Sequence, residues 1–247
     1  MTPHVTPRAA LAPTGKLRAG INYGNFLLVL NDGPDGEPRG IAPDLGREIG
    51  RRLGVPVEFV RFDHAGKLAD AVKAGLWDIG FLGNEPQRAA EIAFSPAYLE
   101  IPVTYLVPAG SPIRTLADVD RQGVRIAVSG NSAYDLFLSR TLQYAKLMRA
   151  PGIEGSYRLF VAEKLDALAG LKPRLVGDAE TLPGSRVLEG QVTGVQQSIG
   201  APRGRGEAAA RYLREFVEEA KASGLVAQII EAHGVRGVTV APKAPAQ

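Results

Sequence analysis

The sequence predicts an α/β protein made of two strand–helix units, each a mostly parallel sheet flanked by helices. Three observations carry this prediction. Apolar, β-branched strands alternate with amphipathic helices from residue 16 to 82. The alternation starts afresh at residue 123 and runs to 170. Two extended segments, near 103–109 and 192–199, stand where the chain would pass from one unit to the other and back. Sheets of this kind place ligand sites beyond the carboxyl ends of their strands.

Residues 1–15, MTPHVTPRAALAPTG, are rich in Pro, Ala and Thr and read as a disordered lead. KLRAGI (16–21) is a strand that ends at Asn22, Tyr23, Gly24, Asn25 and Phe26. LNDGPDGEPRG (30–40) is a turn-rich connector. It fails as a calcium loop, because Gly33 occupies an oxygen-ligand position and no glutamate closes it. GIAPDLGREIGRRLG (40–54) has helical spacing through Leu45, Ile49 and Leu53, with Gly54 as its stop. VPVEFVRF (55–62) is a β-branched and aromatic strand. DHAGKLADAVKAG (63–75) is a helix with Asp63 as its expected cap and Gly75 as its end. WDIGFL (77–82) is the next buried strand.

IPVTYLVPAG (101–110) reads as a strand leaving the first unit, and SPIRTLADVD as a short helix. GVRIAVS (123–129), AKLMRA (145–150) and KLDALAG (164–170) are strands of the second unit. Between them lie a helix from GNSAYDLFLSRTLQYA and a further helix after residue 150. VTGVQQSIG (192–200) returns the chain to the first unit. A long helix at about 203–222 buries Ala209, Tyr212, Leu213, Phe216, Val217 and Ala220. Arg211–Glu215 and Arg214–Glu218 face away at i,i+4 spacing, and a shorter helix follows in LVAQIIEAHG. The expected division is 16–107 plus 196–240 for one unit, 108–195 for the other, and a disordered tail at 241–247.

Composition narrows the chemistry. The chain carries 29 Lys and Arg against 26 Asp and Glu, with the two signs interspersed. No basic block marks a nucleic-acid surface, and no nucleic-acid partner is expected. With no cysteine, thiolate catalysis, disulfides and Cys-bound zinc are excluded. No serine elbow, phosphate-binding glycine loop or HExxH pattern is present, and no metal or cofactor is expected. The opening residues lack the charged-then-apolar order of a secretory signal.

One stretch stands apart: GFLGNEPQRAAEIAFSPAY, Gly80 to Tyr98. A strand ends in small and polar residues, and Arg88 follows on a short turn of helix opened by Pro86. An arginine just past a strand end, beside free backbone N–H groups, makes a fixed fork for a carboxylate. Pairing with Glu85 or Glu91 would make it an ordinary surface residue instead.

EPQRAAEIAFSPAY resembles the segment TPERAKxVxFSxPY of family 3 of the bacterial solute-binding proteins of ABC transporters. GIAPDL stands where the family has GFDVDL, with Asp44 on the second acid and Ala42 in place of the first. LADAVKAGLWDIG, GVRIAVSGNSAYD and YLREFVEEAKASGLVAQIIEAHGV are similar to further family segments in the same order. The resemblance covers Lys16 to Val240 and implies a two-lobed, periplasmic-binding-protein-like fold with two hinge strands. It implies that the lobes close over a small polar solute and present the closed form to a membrane permease. It puts the carboxylate-gripping arginine on Arg88, and a second clamp on Ser132 at a helix start, with Ala133 and Tyr134 in the rim. Asn22, Tyr23, Asn25 and Phe26 fall on or beside pocket-lining positions, and His64 lies next to an aromatic wall position. Gly83 stands where amino-acid binders offer Ser or Thr, and Asn84 is the nearest replacement donor.

The family's acid for a ligand ammonium falls on Leu171. With Lys172 and Arg174 beside it, the resemblance implies an anion rather than an ordinary α-amino acid. The expected protein is a monomeric binder, periplasmic if a signal has been removed and cytoplasmic otherwise. An enzyme of the cyclohexadienyl dehydratase kind and a stand-alone sensor domain are the alternatives on the same fold.

Overall fold

The computed structural model describes residues 5–245. The chain opens with helix α1 (Pro7–Leu11), whose start is fixed by Pro7 and by the Thr6 hydroxyl accepting the Ala9 N–H at 3.2 Å. Strand β1 (Leu17–Asn22) leads to a small hairpin of β2 (Asn31–Asp32) and β3 (Pro38–Arg39). Helix α2 (Ile41–Leu53) buries Leu45, Ile49 and Leu53 and ends at Gly54, which takes the left-handed conformation at φ 66°. Strand β4 (Val57–Phe62), helix α3 (Ala65–Asp70) and strand β5 (Ile79–Gly83) complete the alternation. Strand β6 follows as one 16-residue run, Ile92–Val107.

The second unit begins within β6. It continues through β7 (Arg125–Ser129), α4 (Ala133–Thr141), β8 (Lys146–Ala150), α5 (Gly152–Ala162), β9 (Ala167–Leu171), α6 (Lys172–Thr181) and β10 (Arg186–Val187). Strand β11 (Thr193–Pro202), helices α7 (Gly206–Ala222) and α8 (Leu225–Ala232), and strand β12 (Thr239–Val240) finish the chain.

Unit 1 contains the residues up to Glu100, then Gln196–Val235, then those from Thr239 on. Its sheet runs β4-β1-β5-β11-β6, with β1 parallel to β4 and β5, and β11 antiparallel to β5. Unit 2 contains Ile101–Val195 and Arg236–Val238. Its sheet runs β6-β9-β7-β8, with β7 parallel to both neighbours and β9 antiparallel to β6. The unit 2 core gathers Leu106, Ala127, Phe160, Leu165, Leu168 and Leu175 from five elements and the turn after α5.

Several expectations are corrected. The lead is structured from residue 7, because α1 packs on α7 and leaves Leu11 fully buried; residues 1–4 lie outside the described residues. The tail is held through residue 244: Ala241 is buried, Lys221 donates to the Pro242 carbonyl at 2.8 Å, and Ala244 N donates to Glu218. The first boundary falls at 100/101 rather than 107/108, because β6 pairs with β9 from Val103 to Leu106. Helix α3 is shorter than expected and is capped by His64, not Asp63. Asp63 turns outward to Lys67 instead, at 2.7 Å. Arg214 reaches back to Glu207 rather than forward to Glu218. Helix α6, which KPRLVGDAET did not announce by periodicity, is packed through Leu175.

Candidate functional site

In unit 1, the candidate residues cluster on the loops at the carboxyl ends of β1, β4 and β5. Strand β5 ends at Gly83, whose carbonyl accepts from Arg88 Nη1 at 2.8 Å. That contact folds the short 3₁₀ turn Arg88–Ala90 back onto the strand it has just left. Arg88 is only 7% exposed. Burial pushes its guanidinium down to about 10, with Glu85 and Asp70 working the other way, so it stays charged at neutral pH. Asn84 is exposed, and its N–H donates to the Gln196 carbonyl at 2.8 Å.

The β1 loop is an Asx-rich turn. Asn22 Oδ1 accepts the Gly24 N–H at 2.9 Å, and Asn25 Oδ1 accepts the Leu27 N–H at 3.2 Å. Asn25 is buried and Phe26 is 39% exposed. Tyr23 donates its hydroxyl to Asp32 at 2.6 Å and lies 4.8 Å beneath the Arg61 guanidinium. Burial and that carboxylate push the phenol up to about 12. Arg61 closes the cluster on Asp32 at 2.7 Å.

His64 has a structural task. Its Nδ1 accepts the Lys67 N–H at 3.3 Å, and burial together with the Lys67 charge lowers its pKa. The neutral ring is therefore the form that caps α3.

In unit 2, the candidate residues lie beyond β7. Ser132 is the cap of α4, its hydroxyl accepting the Asp135 N–H at 3.0 Å. Asp135 is buried against Arg149 and the Asn131 N–H, so its charge is committed. Ala133 and Tyr134 are buried in the first turn of α4. The Tyr134 hydroxyl is buried beside the Ser129 and Ser132 hydroxyls. Burial pushes its pKa up to about 12, with the Ser129 and Ser132 hydroxyls opposing.

Leu171 ends β9, is 3% exposed and offers no charge at the start of α6. Arg174 is not available as an anion receptor. It is tied to Glu154 at 2.8 Å and Asp178 at 2.7 Å, and lies over the Tyr157 ring. Lys172 Nζ is 3.5 Å from the Gly190 carbonyl.

The structure thus brings Asn22, Tyr23, Asn25, Phe26, His64, Gly83, Asn84 and Arg88 onto the strand-end loops of unit 1. Ser132, Ala133 and Tyr134 belong to unit 2. Sequence reasoning missed Gly24: a Cβ there would sit 2.2 Å from the Asp63 carbonyl. The signal, a glycine between two turn-forming asparagines, was visible, but its distant partner was not. Among the described residues, no group of three or more His, Cys, Asp or Glu could hold a metal ion. No helix among them is long and apolar enough to cross a membrane.

A sequence model of the bacterial extracellular solute-binding proteins, family 3, matches residues 17–235. The chain belongs to that family. Solved structures agree on the fold of this family 3 protein. The solute receptor for L-cysteine of Neisseria gonorrhoeae has a TM-score of 0.78 at 20% identity, covering 93% of this chain and 95% of that one. An ancestral amino acid-binding protein, a precursor of cyclohexadienyl dehydratase, has a TM-score of 0.74 at 22% identity, with 92% and 98% covered. An amino acid ABC transporter substrate-binding protein of Streptococcus pneumoniae bound to L-arginine has a TM-score of 0.74 at 17% identity, with 90% and 96% covered. The fold is the α/β, periplasmic-binding-protein-like one expected from the sequence.

Proposed function

We propose that this family 3 protein is the solute-binding component of an ABC transporter and captures a small, carboxylate-bearing solute. The observation that carries the reading is Arg88, a buried guanidinium held at the end of β5 by the Gly83 carbonyl. A fork fixed in this way loses little side-chain entropy when a carboxylate arrives, and burial strengthens the charge-assisted hydrogen bonds it offers. Asn22, Asn25 and Asn84 supply neutral polar groups on the neighbouring loops, and Ser132 caps α4 on the other unit. The proposal includes the closure of the two lobes over the solute that the family resemblance implies, an exported location, and a membrane permease that reads the closed form.

The solute class follows from charge. Leu171 offers no counter-charge, and Asp135 is already paired with Arg149. A ligand ammonium buried against them would be costly. The solute is therefore a carboxylate without an α-ammonium group.

A calorimetric and thermal-shift screen tests both statements. It pairs amino acids with carboxylates lacking the amino group, such as L-glutamate with glutarate and L-arginine with 5-guanidinovalerate. Binding of carboxylates alone, weakened about a hundredfold in Arg88→Ala, is expected from two lost charge-assisted hydrogen bonds. Tight binding of amino acids would keep the transport reading and overturn the solute class. Binding indifferent to Arg88 would overturn the site, and conversion of a bound solute would assign an enzyme.

A further inference from the structure

We propose that unit 2 carries a second ligand site, a groove that takes a small amphipathic carboxylate. The groove lies where the end of α5 meets the turns after β6 and after α6. Its volume is about 260 Å³. Phe160 and Leu165 form its floor, Pro108, Leu182 and Pro183 line its walls, and Val161 stands at its lip, 44% exposed. Phe160 and Leu165 also belong to the unit 2 core, so an apolar occupant would extend that core outward.

The floor is made by the way α5 stops. Leu165 N donates to the Phe160 carbonyl at 3.1 Å and Lys164 N to the Val161 carbonyl at 3.3 Å. This paired closure favours glycine at its left-handed position and brings the flanking apolar residues together. Here the left-handed position is Lys164, at φ 47°. The left-handed position is thus held by a lysine that itself lines the apolar groove.

Lys164 is the sole charged residue of the lining; its carbonyl accepts from Arg125 Nη2 at 2.9 Å, while its ammonium group makes no hydrogen bond or ion pair among the described residues. No carboxylate lines the groove. Arg186, next to Ser185, spends its guanidinium on the carbonyls of Ser111 and Ile113 and leaves the local charge positive. An apolar tail with one carboxylate at its end matches this arrangement. The volume lies just under the roughly 300 Å³ at which small-molecule pockets begin and suits an alkyl chain of about six to eight carbons.

Octanoate is the probe, followed by methyl NMR shifts on the intact chain, with octanol and octylamine as controls. Saturable octanoate binding centred on Val161, Leu165 and Leu182 is expected, with octanol and octylamine weaker. In Lys164→Gly the melting temperature should rise while octanoate affinity falls about threefold to tenfold, a split that a merely structural lysine would not produce. Val161→Glu, at an exposed lip, should abolish binding without unfolding the chain. The proposal is overturned if octanoate does not saturate by about 10 mM, an affinity too weak to be specific. It is equally overturned if the shifts map elsewhere, or if Lys164→Gly binds octanoate as well as the parent.

Discussion

At the scale of single residues, two close approaches set the candidate site. Arg88 is held because the Gly83 carbonyl points where a guanidinium can reach it, at 2.8 Å. Gly24 is needed because the loop after β1 runs against the end of β4, within 2.2 Å of where a Cβ would meet the Asp63 carbonyl. Backbone cannot yield as a flexible side chain does, so Gly24→Ala should destabilise the protein by about 1–3 kcal/mol. Chemical denaturation measures this, and an unchanged midpoint would remove the constraint. Much of this scale was legible in the sequence. Arg88 and the asparagine-rich turn could be named from their strand-end positions, and Ser132 from the helix start it caps. The commitments of Tyr23 to Asp32 and of Arg174 to Glu154 and Asp178 could not, because each depends on side chains brought together from separate elements.

At the scale of elements, α1 and α2 make the clearest statements. Leu11 is fully buried where α1 packs on α7. Leu11→Ala should cost about 2–4 kcal/mol, visible as a lower denaturation midpoint, whereas a disordered lead would show no change. On α2, Glu48 accepts from Arg51 and Arg52 at 2.7 and 2.8 Å, and these hydrogen bonds hold its carboxyl down to about 2. Arg52 continues to Glu219 of α7 at 3.0 Å and lies over the Phe216 ring, joining the two helices. A carboxylate with a depressed folded-state pKa contributes stability above its unfolded value near 4.5 and loses it as the pH falls toward 2. Solvent around Arg51 screens the pair, so the contribution is about 1 kcal/mol. Melting curves from pH 5 to pH 2 should therefore fall less steeply in Glu48→Gln, and parallel curves would refute the linkage.

At the scale of the whole molecule, the chain passes between units 1 and 2 twice within strands, once in β6 and once in β11. Under the proposed function, a ligand recognised by both units couples its binding energy to their closure. Small-angle scattering should show a smaller radius of gyration when the solute from the carboxylate screen is added. At about a thousandfold its dissociation constant, that solute should also raise the melting temperature by roughly 8–16 °C. A thermal shift with no change in scattering would separate binding from closure.

The sequence by itself determined the alternation of strands and helices, the return of the chain to its first unit, the family, and Arg88 as the residue to test. These follow from periodicity, turn residues and one ordered motif, all of which are local along the chain. Tertiary structure alone decided that the lead is a packed helix, that the first boundary lies inside β6, and that His64 caps a helix. It also decided that Arg174 is neutralised and that a groove opens at the end of α5. Each of these depends on which distant groups meet, and pairing across the sheets and between helices sets that.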